Sequence, residues 1–73
     1  MAQKRLSDLG YMELRLAKYG LGIDSMNPGD GRTYAIENIG GGYRYSDRME
    51  MKQLKAWYQG YIVGKEGRPD PRI

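Results

Sequence analysis

The chain contains neither histidine nor cysteine. The commonest general base, the thiol nucleophile and the two commonest zinc ligands are therefore missing together. The aliphatic hydroxyls of Ser7, Ser25, Ser46 and Thr33 have no imidazole to activate them. Nine carboxylates remain, and Glu37 and Asp47 are the two that a hairpin would bring together. An acid–base pair needs a buried cleft to separate its pKa values, and a chain of 73 residues has little volume for one. The mixture of Asp, Asn and Gly from Asp24 to Arg32 suggests a calcium loop. Counting from Asp24 rejects it, because Met26 and Pro28 occupy the third and fifth positions and Ala35 the twelfth. Gly40-Gly41-Gly42 leads into Tyr43-Arg44-Tyr45, not into a helix carrying Lys-Ser or Lys-Thr, so it reads as a chain reversal and not a phosphate cradle. The expectation is a protein with no catalytic, metal-ligating or cofactor-binding residue.

Recognition chemistry is better represented. Seven tyrosines and one tryptophan stand against no phenylalanine. Tyrosine buries a ring while keeping its hydroxyl wet, which suits half-buried sheets and interfaces. Trp57, Tyr58, Tyr61, Tyr43 and Tyr45 are the expected anchors of a partner-binding face, since aromatic side chains dominate interface hot spots. Arg48, Lys52 and Lys55 recur at spacings of four and three, and Arg44 precedes them. These four cations form the expected polar rim. The net charge of +3 is mild and permits, without requiring, an acidic partner. The alternative reading is a nucleic-acid-binding module in which the same cations contact phosphate beside stacking rings.

The elements that must position these residues follow from periodicity. Leu9, Met12, Leu16 and Tyr19 mark one helical face, with Ser7 or Asp8 as cap and Gly20 as stop, so a helix is predicted over about 7–19. Leu21 to Arg32 reads as a connection whose Leu21 and Ile23 tuck back, closed by the turn chemistry of Asn27-Pro28-Gly29-Asp30-Gly31. Tyr34 and Ile36 alternate with Thr33, Ala35 and Glu37, and Tyr43 alternates with Arg44. A hairpin over about 32–46 follows, turned by the glycine run. Asp47 and Glu50 are spaced as a capping pair, and Met51, Leu54, Tyr58 and Tyr61 share a face. A second helix is predicted over about 48–63, ended by Gly64, with Gly60 an unfavourable interior residue. The fold class is α+β: a two-layer α-β-β-α domain in which an antiparallel hairpin packs against two amphipathic helices. It spans residues 1–64, the first six residues fraying and residues 65–73 forming a flexible tail rich in glycine and proline.

Leu54-Lys55-Ala56-Trp57-Tyr58-Gln59-Gly60-Tyr61, following a short aromatic hairpin, resembles the Leu-x-Ala-Trp/Phe-x-x-Gly-Tyr cadence of small accessory proteins of bacteriophages and prophages. The resemblance covers about residues 32–64. It implies a binder without catalytic activity, of the kind that blocks host defence systems such as CRISPR effectors or modifies host transcription or replication. It transfers no functional residue. The expected partner is a host protein or ribonucleoprotein complex in the cytoplasm. A homodimer through the Trp57 face would add the burial that so small a domain lacks. No membrane partner is expected, since no apolar run approaches a span and no signal peptide opens the chain.

Overall fold

Ser7 stands immediately before the first helix. Its Oγ accepts the backbone N–H of Gly10 at 3.1 Å and so caps α1, Asp8–Ala17. The computed structural model describes residues 6–26 and 31–73. Residues 1–5 of the six expected to fray, and 27–30 of the turn expected at 27–31, lie outside the described residues. Asp8 in the first turn and Arg15 in the last complement the helix dipole. Three-residue turns tighten the end of α1, and Gly20 at φ +79° stops it two residues before the predicted end.

The next segment corrects the sequence reading. Leu21–Met26 is not a connection but a strand, β1, and it pairs antiparallel with β2, Thr33–Asn38. Leu21 lies opposite Asn38, Ile23 opposite Ile36 and Ser25 opposite Tyr34. Gly22, Asp24 and Ser25 are poor strand formers and mask a two-residue alternation that only Leu21 and Ile23 reveal. Packing of α1 against this strand overrides the local preference.

The predicted partner of β2, around Tyr43–Ser46, forms an irregular second edge instead. Asn38 donates to the Tyr43 carbonyl at 2.8 Å, and Tyr45 donates to the Ile36 carbonyl at 2.7 Å. Tyr34 and Met49 exchange a pair of 2.8 Å bonds further along. Between the Glu37–Arg44 and Tyr34–Met49 bridges, four residues (45–48) oppose two (35–36), so the segment bulges. The Ser46 hydroxyl fills the gap by accepting the Ile36 N–H at 2.9 Å.

Leu21, Ile23, Tyr34 and Ile36 share one face of the sheet. All belong to, or pack on, a single cluster with Met12, Leu16, Leu54, Tyr58 and Ile62. Both helices therefore cover the same face, α1 over β1 and α2 over β2, and the layered α+β architecture stands. On the other face Ala35 is fully buried. Arg48 crosses there, donating to Asp24 Oδ2 at 2.8 Å and to Thr33 Oγ1 at 2.9 Å.

Helix α2 runs Met51–Glu66, three residues later at both ends than predicted. The capping box lies one pair further along: Glu50 is the cap, and the Gln53 side chain accepts its N–H at 3.1 Å. Asp47 stays exposed. Gly64 does not end the helix, because it and Gly60 lie on an open side where a Cβ would meet nothing within 4 Å. The stop is Gly67 at φ +82°.

Residues 67–73 are not a loose tail. Asp70 is 5% exposed, and Ile73 packs on the core cluster. Proline and glycine composition predicted looseness, but specific polar anchors on α1 and α2 hold the segment in place.

Candidate interaction surface

The predicted partner-binding residues separate into three groups. Tyr58 belongs to the core. It is fully buried, and its hydroxyl donates to Asp70 Oδ2 at 2.5 Å. Position 58 falls in register with Leu54 and Ile62 at helical spacing, so its ring belongs to the buried stripe and not to an exposed aromatic face. Arg48 and Lys55 serve internal contacts. Arg48 also donates to the Thr33 carbonyl at 3.1 Å, which locks the bulge onto the hairpin. Lys55 meets Asp8 at 2.9 Å and ties α2 to the start of α1. That pairing holds the Asp8 carboxyl below its usual range, through the hydrogen bond first and the charge second. Arg44 reaches Asp24 at 3.6 Å with half its side chain in solvent, and Lys52 is exposed. The single basic stripe expected from spacing is therefore broken, with three of its four cations paired to Asp24 or Asp8 within the molecule.

Of the remaining anchors, Tyr43 and Tyr45 lie beside the glycine loop and Trp57 and Tyr61 lie on α2. Tyr43 and Tyr45 sit two residues apart on the irregular edge, with ring centroids 4.7 Å apart and edge-to-face. The Tyr45 hydroxyl donates to Asn38 Oδ1 at 2.8 Å. Ile39 follows Asn38, and its N–H bonds the Gly20 carbonyl at 3.1 Å, one rung beyond the ladder. Tyr19 precedes Gly20 and meets Tyr61 edge-to-face at 5.7 Å. Tyr61 in turn stacks on Trp57, 5.4 Å away and 8° from parallel. Ile39, Tyr43 and Tyr45 expose 58%, 61% and 50% of their surface. Trp57 and Tyr61 are half-buried and lean on the core cluster, so part of their area is already used within the molecule. Lys65 lies 5.6 Å from the Tyr61 ring and 5.8 Å from Tyr19, and Lys18 also lies 5.8 Å from Tyr19. The Tyr19 hydroxyl donates to Glu66 at 2.7 Å, while Glu66 also pairs with Arg15. These two contacts, in that order, depress the Glu66 carboxyl.

The second constellation was not expected from the sequence. Asp70 is held between α1 and α2 on the tail. Besides Tyr58, its carboxylate accepts the Arg72 N–H at 3.0 Å, and Arg15 stands 3.9 Å away. The Gln59 side chain accepts the Asp70 N–H at 2.7 Å and donates to the Asp70 carbonyl at 2.8 Å. Arg72 donates to the Leu6 carbonyl, and its guanidinium lies 4.3 Å above the Tyr11 ring. Burial pushes the Asp70 carboxyl upward. The hydrogen bonds from Tyr58, from the Arg72 N–H and from Tyr11 outweigh it, with help from the Arg15 charge, and the net displacement is downward. Conversely, burial and then the carboxylate push the Tyr58 hydroxyl far up, and Tyr11 is raised chiefly by its bond to Asp70. An aspartate between two prolines was the one local signal, because such a segment is extended and poor in partners of its own.

No protein-family model matches the chain, and no curated protein or solved structure is significantly similar to it. Among the described residues no helix is long and apolar enough to cross a membrane, and no three acidic side chains are grouped to hold a metal ion.

Proposed function

We propose that this protein is a small non-catalytic interaction module that binds a partner protein through its glycine-loop end and occludes the surface it covers. The supporting observation is the exposure of Ile39, Tyr43 and Tyr45 together on one loop and its adjoining edge. A lone exposed apolar residue is ordinary, whereas a group of them marks an interaction site. Tyr43 and Tyr45 are rigid amphipathic anchors of the type found at hot spots. Arg44 supplies a polar contact between them. In this reading the partner is a host protein or ribonucleoprotein, such as a defence effector, and the chain is phage-encoded and acts in the host cytoplasm. The phage-like cadence of α2 supports that part of the reading. Nucleic acid is the less favoured ligand, because Arg48 and Lys55 are spent on Asp24 and Asp8.

The test compares the wild-type chain with a Tyr43→Ala/Tyr45→Ala double variant as bait in nuclease-treated host lysate. The wild type should retain a protein at about 0.5 M salt, where exposed ion pairs are screened, and the double variant should lose it. Retention that vanishes with nuclease, or falls steeply with salt, would replace the protein partner with nucleic acid.

A further inference from the structure

The tail clasp has the features of a ligand site more than of ordinary chain packing. Gln59 reads the backbone of Asp70 twice, bonding both its N–H and its carbonyl. That is how an extended peptide is gripped when a side-chain amide replaces a neighbouring strand. Tyr58 donates to the carboxylate from the core side, and Arg15 faces it from α1. The Asp70 side chain retains only 2% of its exposure. Arg72, two residues on, stacks over Tyr11 and reaches the Leu6 carbonyl. Pro69 and Pro71 fix φ on either side of Asp70, the second at the corner of a turn that the Ile73 N–H closes on the Asp70 carbonyl, and so reduce the entropy lost on docking. Among the described residues, the segment's polar contacts with the rest of the molecule come from α1, α2 and Leu6. The segment itself adds one local bond from the Arg72 N–H to Asp70 Oδ1 and one from the Ile73 N–H to the Asp70 carbonyl. It joins α2 through Gly67, a left-handed residue that can pivot.

We propose that the cleft between α1 and α2 is a recognition site for peptides carrying a proline-flanked aspartate followed by arginine and turning at the second proline, and that the segment Arg68–Ile73 is its built-in occupant. Partners bearing Pro-Asp-Pro-Arg compete with the tail for Gln59, Tyr58 and Arg15. The tail thus acts as an autoinhibitory ligand for a second surface, built from residues other than Ile39, Tyr43 and Tyr45 and independent of the reading given to them. An Asn at the aspartate position keeps the shape but loses the charge that Arg15 and Tyr58 address, so binding should discriminate against it.

The experiment uses the full chain carrying Asp70→Ala, which removes the tail's anchor and leaves the cleft intact. It is titrated with the synthetic peptide Gly-Arg-Pro-Asp-Pro-Arg-Ile, and the Gln59 side-chain amide is followed by NMR. Saturable shifts are expected, and the peptide with Asn in place of Asp should bind roughly tenfold or more weakly, as befits a charged hydrogen-bonded group. The wild-type chain should bind the same peptide more weakly by a similar factor, because its own tail occupies the cleft. A folded Asp70→Ala chain that shows no saturable binding overturns the proposal, as does equal affinity for the two peptides. If Asp70→Ala does not fold, isotope-labelled peptide is added in excess to the wild type. A shifted, exchange-protected Asp amide in the peptide then supports the site, and an unshifted one overturns it.

Discussion

Tyr58 and Tyr43 are the same residue in opposite circumstances. Tyr58 is fully buried, and its hydroxyl is consumed by Asp70. Tyr43 lies on an irregular edge with 61% of its surface in water. The clasp around Asp70 turns tyrosine into a structural donor, in a setting where an unmade hydrogen bond would cost the full desolvation of the group. The glycine-loop end leaves tyrosine free as contact area. The difference teaches that aromatic content alone does not locate a binding face, and that the polar partner of each ring has to be found first.

The contrast is most easily broken at the clasp. Asp70→Ala leaves the Tyr58 hydroxyl without its acceptor and Arg15 without its buried counter-charge, while the Gln59 bonds to the backbone of residue 70 persist, and it should cost about 2–4 kcal/mol, read as a lower denaturant midpoint. Truncation after Gly67 should cost at least as much, since Ile73 leaves the core with it. An unchanged midpoint in both variants would reduce the tail to an ornament. The same carboxylate shapes the acid limb of stability. Asp70, Glu66 and Asp8 are all held below their usual pKa values in the folded state. Each takes up protons more readily when unfolded, so the stability it contributes is complete above the ordinary carboxylate range of about 4 and is lost as pH falls through the folded value. Thermal melts from neutral to about pH 2 should show this loss, and Asp70→Asn should flatten it.

The next effect lies on the helix-free face. Arg48→Ala removes bonds to Asp24 and Thr33, at an expected cost of about 1–3 kcal/mol. Lys at that position lacks the planar fork and should recover only part of it. Smaller and opposite in sign is Gly60→Ala. With nothing within 4 Å of the added Cβ, helix propensity should raise stability by about 0.5–1 kcal/mol, seen as an upward shift in Tm. Tyr43→Ala and Asp47→Ala close the series. Both sites are exposed, and Asp47 does not cap α2, so each should change stability by less than about 0.5 kcal/mol. Loss of partner capture by Tyr43→Ala at unchanged stability would sharpen the contrast with Tyr58. A large destabilisation would erase it.

Local chemistry determined much of the molecule. The Leu9–Met12–Leu16 spacing and Ser7 gave α1 its face and its cap. Leu54, Tyr58 and Ile62 gave α2 its buried stripe, and the Tyr34–Ile36 alternation placed the central strand. These are preferences within a turn of helix or a few residues of strand, and they act before any tertiary contact exists. The two helices, one antiparallel pair and layered α+β class followed from them. What the tertiary structure decided is which segments meet. β2 takes Leu21–Met26 as its regular partner because α1 lies above that segment and pays for its weak strand propensity with burial, while Ser46–Arg48 bulge away from the other edge. Arg48 and Lys55 look like a free basic stripe until Asp24 and Asp8, 24 and 47 residues away in sequence, arrive beside them. Asp70 looks like part of a loose tail until Tyr58 and Gln59 close on it. Pairings of charges and hydrogen bonds across such separations depend on geometry that no local pattern encodes, so only the assembled layers could assign them.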